Sequence, residues 1–392
     1  MVKVTVCQEC ICRLEETGKR LGDWGIPGFA KRDIGLRLLS TGLHLAPGPG
    51  KLTCIVPVPS AAASHWIALT AKREVVHLDV SAGTARRIAM ASELGLPIEE
   101  ELSLATSRRG DFAVVATARG SVGVVIEIAT GRTTMALNRG DYHVEHGLFS
   151  AAFFEHAGRT LLVHAMDWNR LDISDPRTGE LLTGRGPTSY NEGEERPAHY
   201  LDYFHCGLIV SPDGTWIADN GWVWHPIGVI RTWSLQEWRT RNVWESEDGP
   251  TVREDFCRGY HWDGPCCWID ERRLAAWGLG KDDISLLPAV RIIDVVTGEE
   301  RTPIIGPFGP TKPGLWSESG MLALAEQGVL AFFDGHLFVW NPTAGFSAWD
   351  ISDGARVFAA EDFCPLAYNP ATREFFSQQA DGSCRVSKLT NE

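Results

Sequence analysis

The 392-residue sequence predicts an all-β fold built from repeated units, and two features indicate it. First, a phrase of the form Asp-hydrophobic-x-Thr-Gly recurs about every 45 to 60 residues, at 78–83, 126–131, 171–179 and 293–298. Second, each copy ends a β-rich run and turns at a glycine into another short apolar stretch. Strands and glycine turns repeated with this period are typical of a β-propeller, a ring of small sheets called blades.

Seven units of this kind cover the chain. The clearest, 313–349, has short apolar runs separated by tight turns, including the strong hairpin signal Asp334-Gly335. It leaves no room for a crossover helix, so its strands are expected to form an antiparallel meander. The other units are 53–90, 102–137, 147–183, 204–243, 264–303 and 356–389. We therefore expect a single propeller with seven four-stranded blades.

Three short segments resemble motifs of the WD-repeat-like β-propeller superfamily. Residues 211–214, Ser-Pro-Asp-Gly, resemble the turn between the first two strands of that family's blade. Residues 230–234 and 338–341 resemble the ends of its third strand. The resemblance covers roughly residues 50 to 390, and no unit carries the full Gly-His to Trp-Asp signature. It therefore implies the propeller fold, and not the family's internal hydrogen-bond network.

The ring needs a closing strand, because an open ring would leave two exposed sheet edges. In the superfamily that the chain resembles, a strand from one end of the chain usually completes the blade made by the other end. The last unit ends near Leu389, and the apolar segment 36–45 is suited to supply its missing strand. The prediction is an N-terminal extension at 1–35 and a β-propeller domain at 36–392, closed by an N-terminal strand.

Charge and hydropathy argue against several classes of partner. The formal net charge is -13, whereas nucleic acids and anionic membranes attract clustered Lys and Arg, so neither partner is expected. No run approaches the roughly 18 apolar residues of a membrane span. The N-terminus lacks the long apolar region of a secretory signal. A cytoplasmic location is therefore expected.

Ten cysteines fit a reducing compartment better than a disulfide scaffold. Most interrupt β-like runs, where a free Cys behaves as a small buried hydrophobe. Cys7, Cys10 and Cys12 could hold zinc, but a closed site needs a fourth ligand and no partner pair follows at finger-like spacing. Alternating burial in a strand is the favoured interpretation, and the zinc alternative stays open.

The rhythm of the repeat breaks around the fourth unit. From Asp172 to Ser234 is 62 residues and the next interval is 60, against 45 to 48 elsewhere. The additional residues fall at 188–203 and 245–263, in predicted connections between blades. In a propeller of this type those connections share a face with the loop between the second and third strands, predicted at 219–228. We expect three unusual loops to converge on one face beside blades three to five, since long loops on a rigid scaffold tend to carry function.

These loops, with the preceding interblade loop, are rich in aromatic residues, histidines and carboxylates. Large flat rings with a few directional polar groups suit a ligand or peptide pocket. The candidate ligand-binding residues are Tyr142, His199, Tyr200, Asp202, Trp222, Trp224, His225, Tyr260, Trp262 and Asp263.

The histidines of the same loops support a second hypothesis, a divalent metal site. Neutral imidazoles with carboxylates suit several metals. The candidate ligands are His143, His146, His205 and His261. The opposing interpretation is structural, because an aromatic-His pair recurs at 142–143, 204–205 and 260–261. In the superfamily that the chain resembles, such a His often bonds within its own blade. No cofactor is otherwise predicted.

The sequence lacks a Gly-x-Ser-x-Gly elbow, a phosphate loop, His-Glu-x-x-His and a strand-linked Gly-x-Gly-x-x-Gly. It therefore favours a non-enzymatic recognition or scaffold propeller that binds a protein or peptide on the aromatic- and His-rich face of blades three to five. The alternative is a metal-assisted hydrolase or lyase using His and Asp residues of that face. A third hypothesis, a structural spacer, predicts that the aromatic loops pack under one another.

Overall fold

The computed structural model describes residues 30–59, 63–190, 192–283, 286–307, 316–317, 320–321 and 328–391. Over these ranges the chain forms a ring of seven antiparallel blades. The prediction of an all-β, seven-bladed propeller is confirmed. Among the described residues, no helix has the length and apolar character needed to cross a bilayer.

Strands are numbered in chain order, and β1 (Leu36–Leu43) precedes the first blade. Blade one has β2 (Leu52–Val58), β3 (His65–Thr70), β4 (Glu74–Asp79) and β5 (Thr84–Met90). Blade two has β6 (Leu102–Thr106), β7 (Phe112–Thr117), β8 (Val122–Glu127) and β9 (Thr133–Asn138). Blade three has β10 (Ala151–His156), β11 (Arg159–Asp167) and β12 (Arg170–Ser174), and its fourth strand is reduced to a bridge between Ser174 and Leu181.

Blade four has β13 (Phe204–Val210), β14 (Trp216–Val223), β15 (Ile227–Ser234) and β16 (Arg253–Gly259). Blade five has β17 (Cys266–Trp268), β18 (Arg273–Leu279), β19 (Leu287–Asp294) and β20 (Ile304–Ile305). A separate pair, β21 (Trp316–Ser317) and β22 (Gly320–Met321), follows. Blade six has β23 (Val329–Phe333), β24 (His336–Asn341), β25 (Gly345–Asp350) and β26 (Arg356–Ala360). Blade seven has β27 (Ala367–Asn369), β28 (Glu374–Gln378), β29 (Cys384–Asn391) and β1.

The core lies between the blades, as β7 shows. Every residue of β7 is buried, although successive side chains of a strand point to opposite faces. Val115 shares an apolar cluster with Ile67 of blade one, whereas its neighbour Val114 shares one with Leu162 of blade three. Burying an aliphatic side chain of this size contributes about 1.5–3 kcal/mol. Because both faces are covered, β7 is apolar from Phe112 to Ala116.

Ring closure follows the prediction. β1 pairs antiparallel with β29, from Leu36 opposite Asn391 to Leu43 opposite Cys384. The chain also reaches blade six before β1, because the backbone N–H of Arg356 donates to the carbonyl oxygen of residue 30 at 2.8 Å. The boundary at residue 36 stays a prediction, and Cys7, Cys10 and Cys12 lie outside the described residues.

Two predicted unit boundaries were wrong. The sixth blade runs from 329 to 360 instead of 313–349, because 356–360 forms its fourth strand and does not begin the last unit. In blade four the fourth strand is β16, so most of the predicted interblade connection 245–263 precedes or forms that strand. Neighbouring strands of a meander look alike in sequence. The repeat phrase therefore predicts the succession of strands better than it predicts which blade each strand belongs to.

The insertion in blade four lies between its third and fourth strands. It forms two short helices, Leu235–Thr240 and Glu245–Asp248. The buried Arg231 of β15 donates to the carbonyl oxygen of Glu247 at 2.8 Å, and Arg185 of blade three forms a buried ion pair with the Glu247 carboxylate. The insertion is therefore fixed to the outer side of blades three and four.

Candidate functional site

One face of blades three and four carries packed aromatic rings, which we call the aromatic surface. This face holds the turn between β14 and β15 and the loops that join successive blades. Two of the three predicted segments, 188–203 and 219–228, reach this face. The third, 245–263, reaches it only through residues 260–263, because 245–252 belong to the insertion and 253–259 form β16. The members of the aromatic surface are Tyr142, Trp168, Phe204, Trp222, Trp224 and Trp262.

Three of these rings form a buried stack. The Phe204 and Trp222 centroids lie 4.0 Å apart with ring planes 7° from parallel. Trp262 continues the stack at 5.2 Å from Trp222. All three side chains are buried. The predicted loop at 219–228 was too long at its start, because β14 continues to Val223 and places Trp222 in a strand.

Two rings stand exposed on this stack. Tyr142 is 46% exposed and Trp224 is 40% exposed. Tyr142 lies nearly parallel to Phe204 at 5.8 Å, and Trp224 meets Phe204 edge-on at 5.4 Å. The buried rings therefore hold two large side chains in fixed positions at the surface, with aromatic geometries that are individually favourable.

Two glycines allow the hairpin of β14 and β15 to approach its neighbours. A Cβ atom at Gly221 would lie 2.1 Å from the carbonyl oxygen of Phe204, and one at Gly228 would lie 1.8 Å from that of His261. The buried Tyr203 hydroxyl fills the space beside Gly221 and accepts its backbone N–H at 2.7 Å. Glycine at these two positions therefore allows the close backbone contacts on which the aromatic surface rests.

A register shift at the start of β13 frees backbone donors for buried carboxylates. The N–H of Cys206 donates to Asp219 Oδ1 at 3.1 Å. Asp219 Oδ2 lies 2.5 Å from Nδ1 of His205, and both side chains are buried within blade four. His205, a candidate metal ligand, therefore bonds inside its own blade.

The candidate residue Asp263 joins several blades. Its side chain has no exposed surface. Oδ1 accepts the N–H of Gly207 at 3.1 Å, and Oδ2 accepts the N–H of Leu148 at 2.9 Å. Oδ2 also lies 3.3 Å from Nη1 of Arg119. Burial raises the pKa of Asp263, and Arg119 with the two backbone donors opposes that shift. These contacts tie the connection after blade four to blades two and four.

Buried hydrogen-bond donors hold the loop that carries His143 and His146. The buried Arg139 donates to the carbonyl oxygens of Val144, Gly147, Leu148 and Gly120 at 3.0, 2.9, 2.7 and 2.9 Å. The indole N–H of Trp262 donates to the carbonyl oxygen of His146 at 2.5 Å. Protein side chains therefore bond the backbone at both ends of the short 3-10 turn Val144–His146.

Only two of the four candidate metal ligands, His143 and His146, lie together. His143 and His146 lie together with Glu145, and one ligand atom from each lies within 4.8 Å of the others. Burial lowers the pKa of His146, against the opposing charge of Glu145. His261 is buried elsewhere, and burial followed by the charge of Arg258 lowers its pKa to about 3. The four-histidine set is therefore not assembled at one point, and the metal-assisted hydrolase or lyase stays a prediction.

Apart from His199, the remaining candidate residues surround the aromatic surface. Tyr200 contacts Trp168 with ring centroids 6.4 Å apart, and burial, then the charge of Asp202, raises the pKa of Tyr200 to about 12. His225 lies in the turn after β14 with a left-handed φ of 96°. Tyr260 is 50% exposed.

His199 lies apart, at the outer side of blades three and four. Its ring stacks on Trp244 at 4.2 Å, and its Nδ1 is 2.9 Å from a carboxylate oxygen of Asp248.

Two central members were not among the candidate residues. Trp168 lies in the turn between β11 and β12, and Phe204 begins β13. Their rings are 4.5 Å apart. The signal available in the sequence was an aromatic residue in a second-to-third strand turn of blade three, on the face already singled out.

A central cavity of about 380 Å³ opens among the innermost strands. Most of its lining is apolar, including Leu104, Ile209 and Leu330. Asn220 and Asp263 provide polar groups, and Asn220 donates to the carbonyl oxygen of Gly264 at 2.8 Å. The polar groups of the lining are thus engaged in holding the ring.

Comparison with known proteins supports the fold and does not name a family. No family model matches the chain, and no curated protein matches it. Among solved structures 1264 chains match, so the architecture is widespread and does not specify function. One match, from the crystal structure of the mitotic checkpoint complex, has a TM-score of 0.52 and 13% identity over 94% of this chain and 94% of that chain. At this identity the likeness shows the propeller fold alone.

Proposed function

We propose that this propeller is a non-enzymatic recognition module that binds a protein or peptide at the aromatic surface. The observation that carries the proposal is the pair Tyr142 and Trp224, which stay 46% and 40% exposed above a buried aromatic stack. A structural spacer would instead be expected to bury these rings. Tyr and Trp side chains dominate the binding energy of many protein interfaces.

The support beneath the two rings favours affinity. Binding normally costs about 0.5–1.5 kcal/mol for each flexible side chain that must be ordered. Phe204 lies within 6 Å of the centroids of both Tyr142 and Trp224 and is itself stacked on Trp222. The exposed rings are therefore largely ordered before a partner arrives.

The chemistry around the rings favours a polypeptide partner over nucleic acid or membrane. The net charge of -13 opposes binding to polyanions. Carboxylates and histidines border the aromatic surface, including Asp202 and His225, and they can receive backbone or side-chain hydrogen bonds from a peptide. The solved neighbour belongs to a multiprotein complex, which is consistent with the proposal at the level of fold. A cytoplasmic location stays a prediction.

The test is affinity capture with three baits: the wild-type chain, Trp224→Ala and Leu366→Ala. Leu366 is a matched control because it is 46% exposed and lies in the connection between blades six and seven. A partner recovered by wild type and Leu366→Ala is then titrated calorimetrically. Removal of a central Trp should cost about 2 kcal/mol or more, roughly a 30-fold loss of affinity. Equal affinity for wild type and Trp224→Ala would contradict the proposal.

A further inference from the structure

Beyond protein recognition, we propose that His143, Glu145 and His146 bind one divalent cation of the zinc type. Nε2 of His146 lies 3.1 Å from Oε1 of Glu145, and Nδ1 of His143 lies 3.8 Å from the same oxygen. In a tetrahedral zinc site with bonds of about 2.0–2.1 Å, neighbouring ligand atoms are about 3.3 Å apart. These two separations bracket that value, and all three ligand atoms lie within 4.8 Å of one another, so side-chain rotations can seat the cation.

The donor set specifies the class of cation. Two imidazole nitrogens and one carboxylate oxygen suit Zn²⁺, Co²⁺ and Ni²⁺. Ca²⁺ and Mg²⁺ require mostly oxygen ligands and are not expected here. Three protein ligands leave a further position open, which in zinc sites is taken by water or by a bound group. The ligand side chains are 35%, 60% and 24% exposed in chain order, so a cation can enter from solvent.

Hydrogen bonds from Arg139 and Trp262 position the loop that carries the ligands. Arg139 donates to the carbonyl oxygens of Val144, between the ligands, and of Gly147, directly after them, and Trp262 donates to the carbonyl oxygen of His146. Replacing a residue that positions the ligands of a metal site typically changes the metal affinity by about 10–100-fold. On an unsupported loop, the backbone that carries the three ligands would lose conformational entropy when the cation binds. Here most of that entropy is already lost when the chain folds.

The experiment uses the full chain after treatment with a chelator. Calorimetric titration with Zn²⁺ should show one saturable site, and Co²⁺ should give the visible absorption bands of a low-coordinate site. Affinity should fall at least tenfold in Glu145→Gln and in His143→Asn. Asn is chosen because His143 has a left-handed φ of 55°, which Asn tolerates. Glu145 is 60% exposed, so its replacement leaves packing unchanged.

Two further measurements make the assignment specific. His199→Ala is the control, since His199 is a half-buried histidine on the outer side of blades three and four, and Zn²⁺ affinity should not change. Bound Cu²⁺ or Co²⁺ should quench part of the tryptophan emission, because the His143 ring lies 5.0 Å from Trp224. That component should disappear in Trp224→Phe while cation affinity is kept.

The proposal is overturned if Zn²⁺, Co²⁺ and Ni²⁺ all fail to saturate a single site. It is also overturned if Glu145→Gln and His143→Asn bind as tightly as wild type. Partner binding through Trp224 is measured on the metal-free protein, so failure of the cation site and failure of the recognition function give separate results.

Discussion

Replacement of Asp263 by Asn tests whether this buried carboxylate holds blades together or contacts a ligand. The carboxylate offers two acceptors, one to the N–H of Gly207 and one to that of Leu148. A carboxamide offers one acceptor and one donor, so one buried backbone N–H loses its partner. Asn also tolerates the left-handed φ of 54° at this position, which removes backbone strain from the comparison.

Two opposing contributions determine how far Asp263→Asn lowers the free energy of unfolding. An unsatisfied buried donor costs about 1–3 kcal/mol, and Arg119 loses a charged neighbour as well. The neutral side chain removes the cost of burying a charge, which offsets part of the loss. We therefore expect the free energy of unfolding of Asp263→Asn to fall by about 2 kcal/mol.

The assay is urea unfolding followed by tryptophan fluorescence. Asp141→Asn is the matched control, because Asp141 is exposed on the same face and its replacement should stay within about 0.5 kcal/mol of wild type. If Asp263→Asn is equally stable and instead abolishes partner binding, the bridging role is refuted and Asp263 contacts the ligand.

Two other predictions concern stability. Unfolding free energy should fall as pH drops from about 6.5 towards 3, because the pKa of buried His261 is about 3 and only the unfolded chain takes up its proton in that window. His261→Gln should lower the slope of stability against pH by about 1.4 kcal/mol per unit there, and identical slopes in urea titrations at several pH values would contradict this. Gly221→Ala should destabilise by about 2 kcal/mol or more, since its Cβ would lie 2.1 Å from a carbonyl oxygen, whereas Gly42→Ala meets no atom within 4 Å and should be near neutral. Denaturation midpoints of the two variants measure the difference, and equal midpoints would refute the packing argument.

The candidate site was predictable in location and less so in composition. Aromatic residues near an enlarged fourth unit indicated one face of the ring, and the structure places the exposed Trp224 and Tyr142 there. Partner binding at this face stays a prediction. Which of the other rings are exposed depended on where β14 ends: Trp222 lies in the strand and is buried, while Trp224, two residues later, is in the turn. The predicted loop began at residue 219, whereas β14 continues to Val223, so the sequence did not distinguish the buried Trp222 from the exposed Trp224.

The sequence by itself determined the all-β repeat, the number of blades and the closing strand. Short apolar runs and glycine turns act over a few residues, and an unpaired sheet edge has to find a strand, so local pattern is sufficient for these features.

Only the tertiary structure decided which loop residues meet. Asp263 accepts from blade four and from the connection between blades two and three, and His143 joins Glu145 instead of His205. These contacts join residues from different blades or select among neighbours within one loop. They depend on blade packing and on where each strand ends, which no short stretch of sequence specifies.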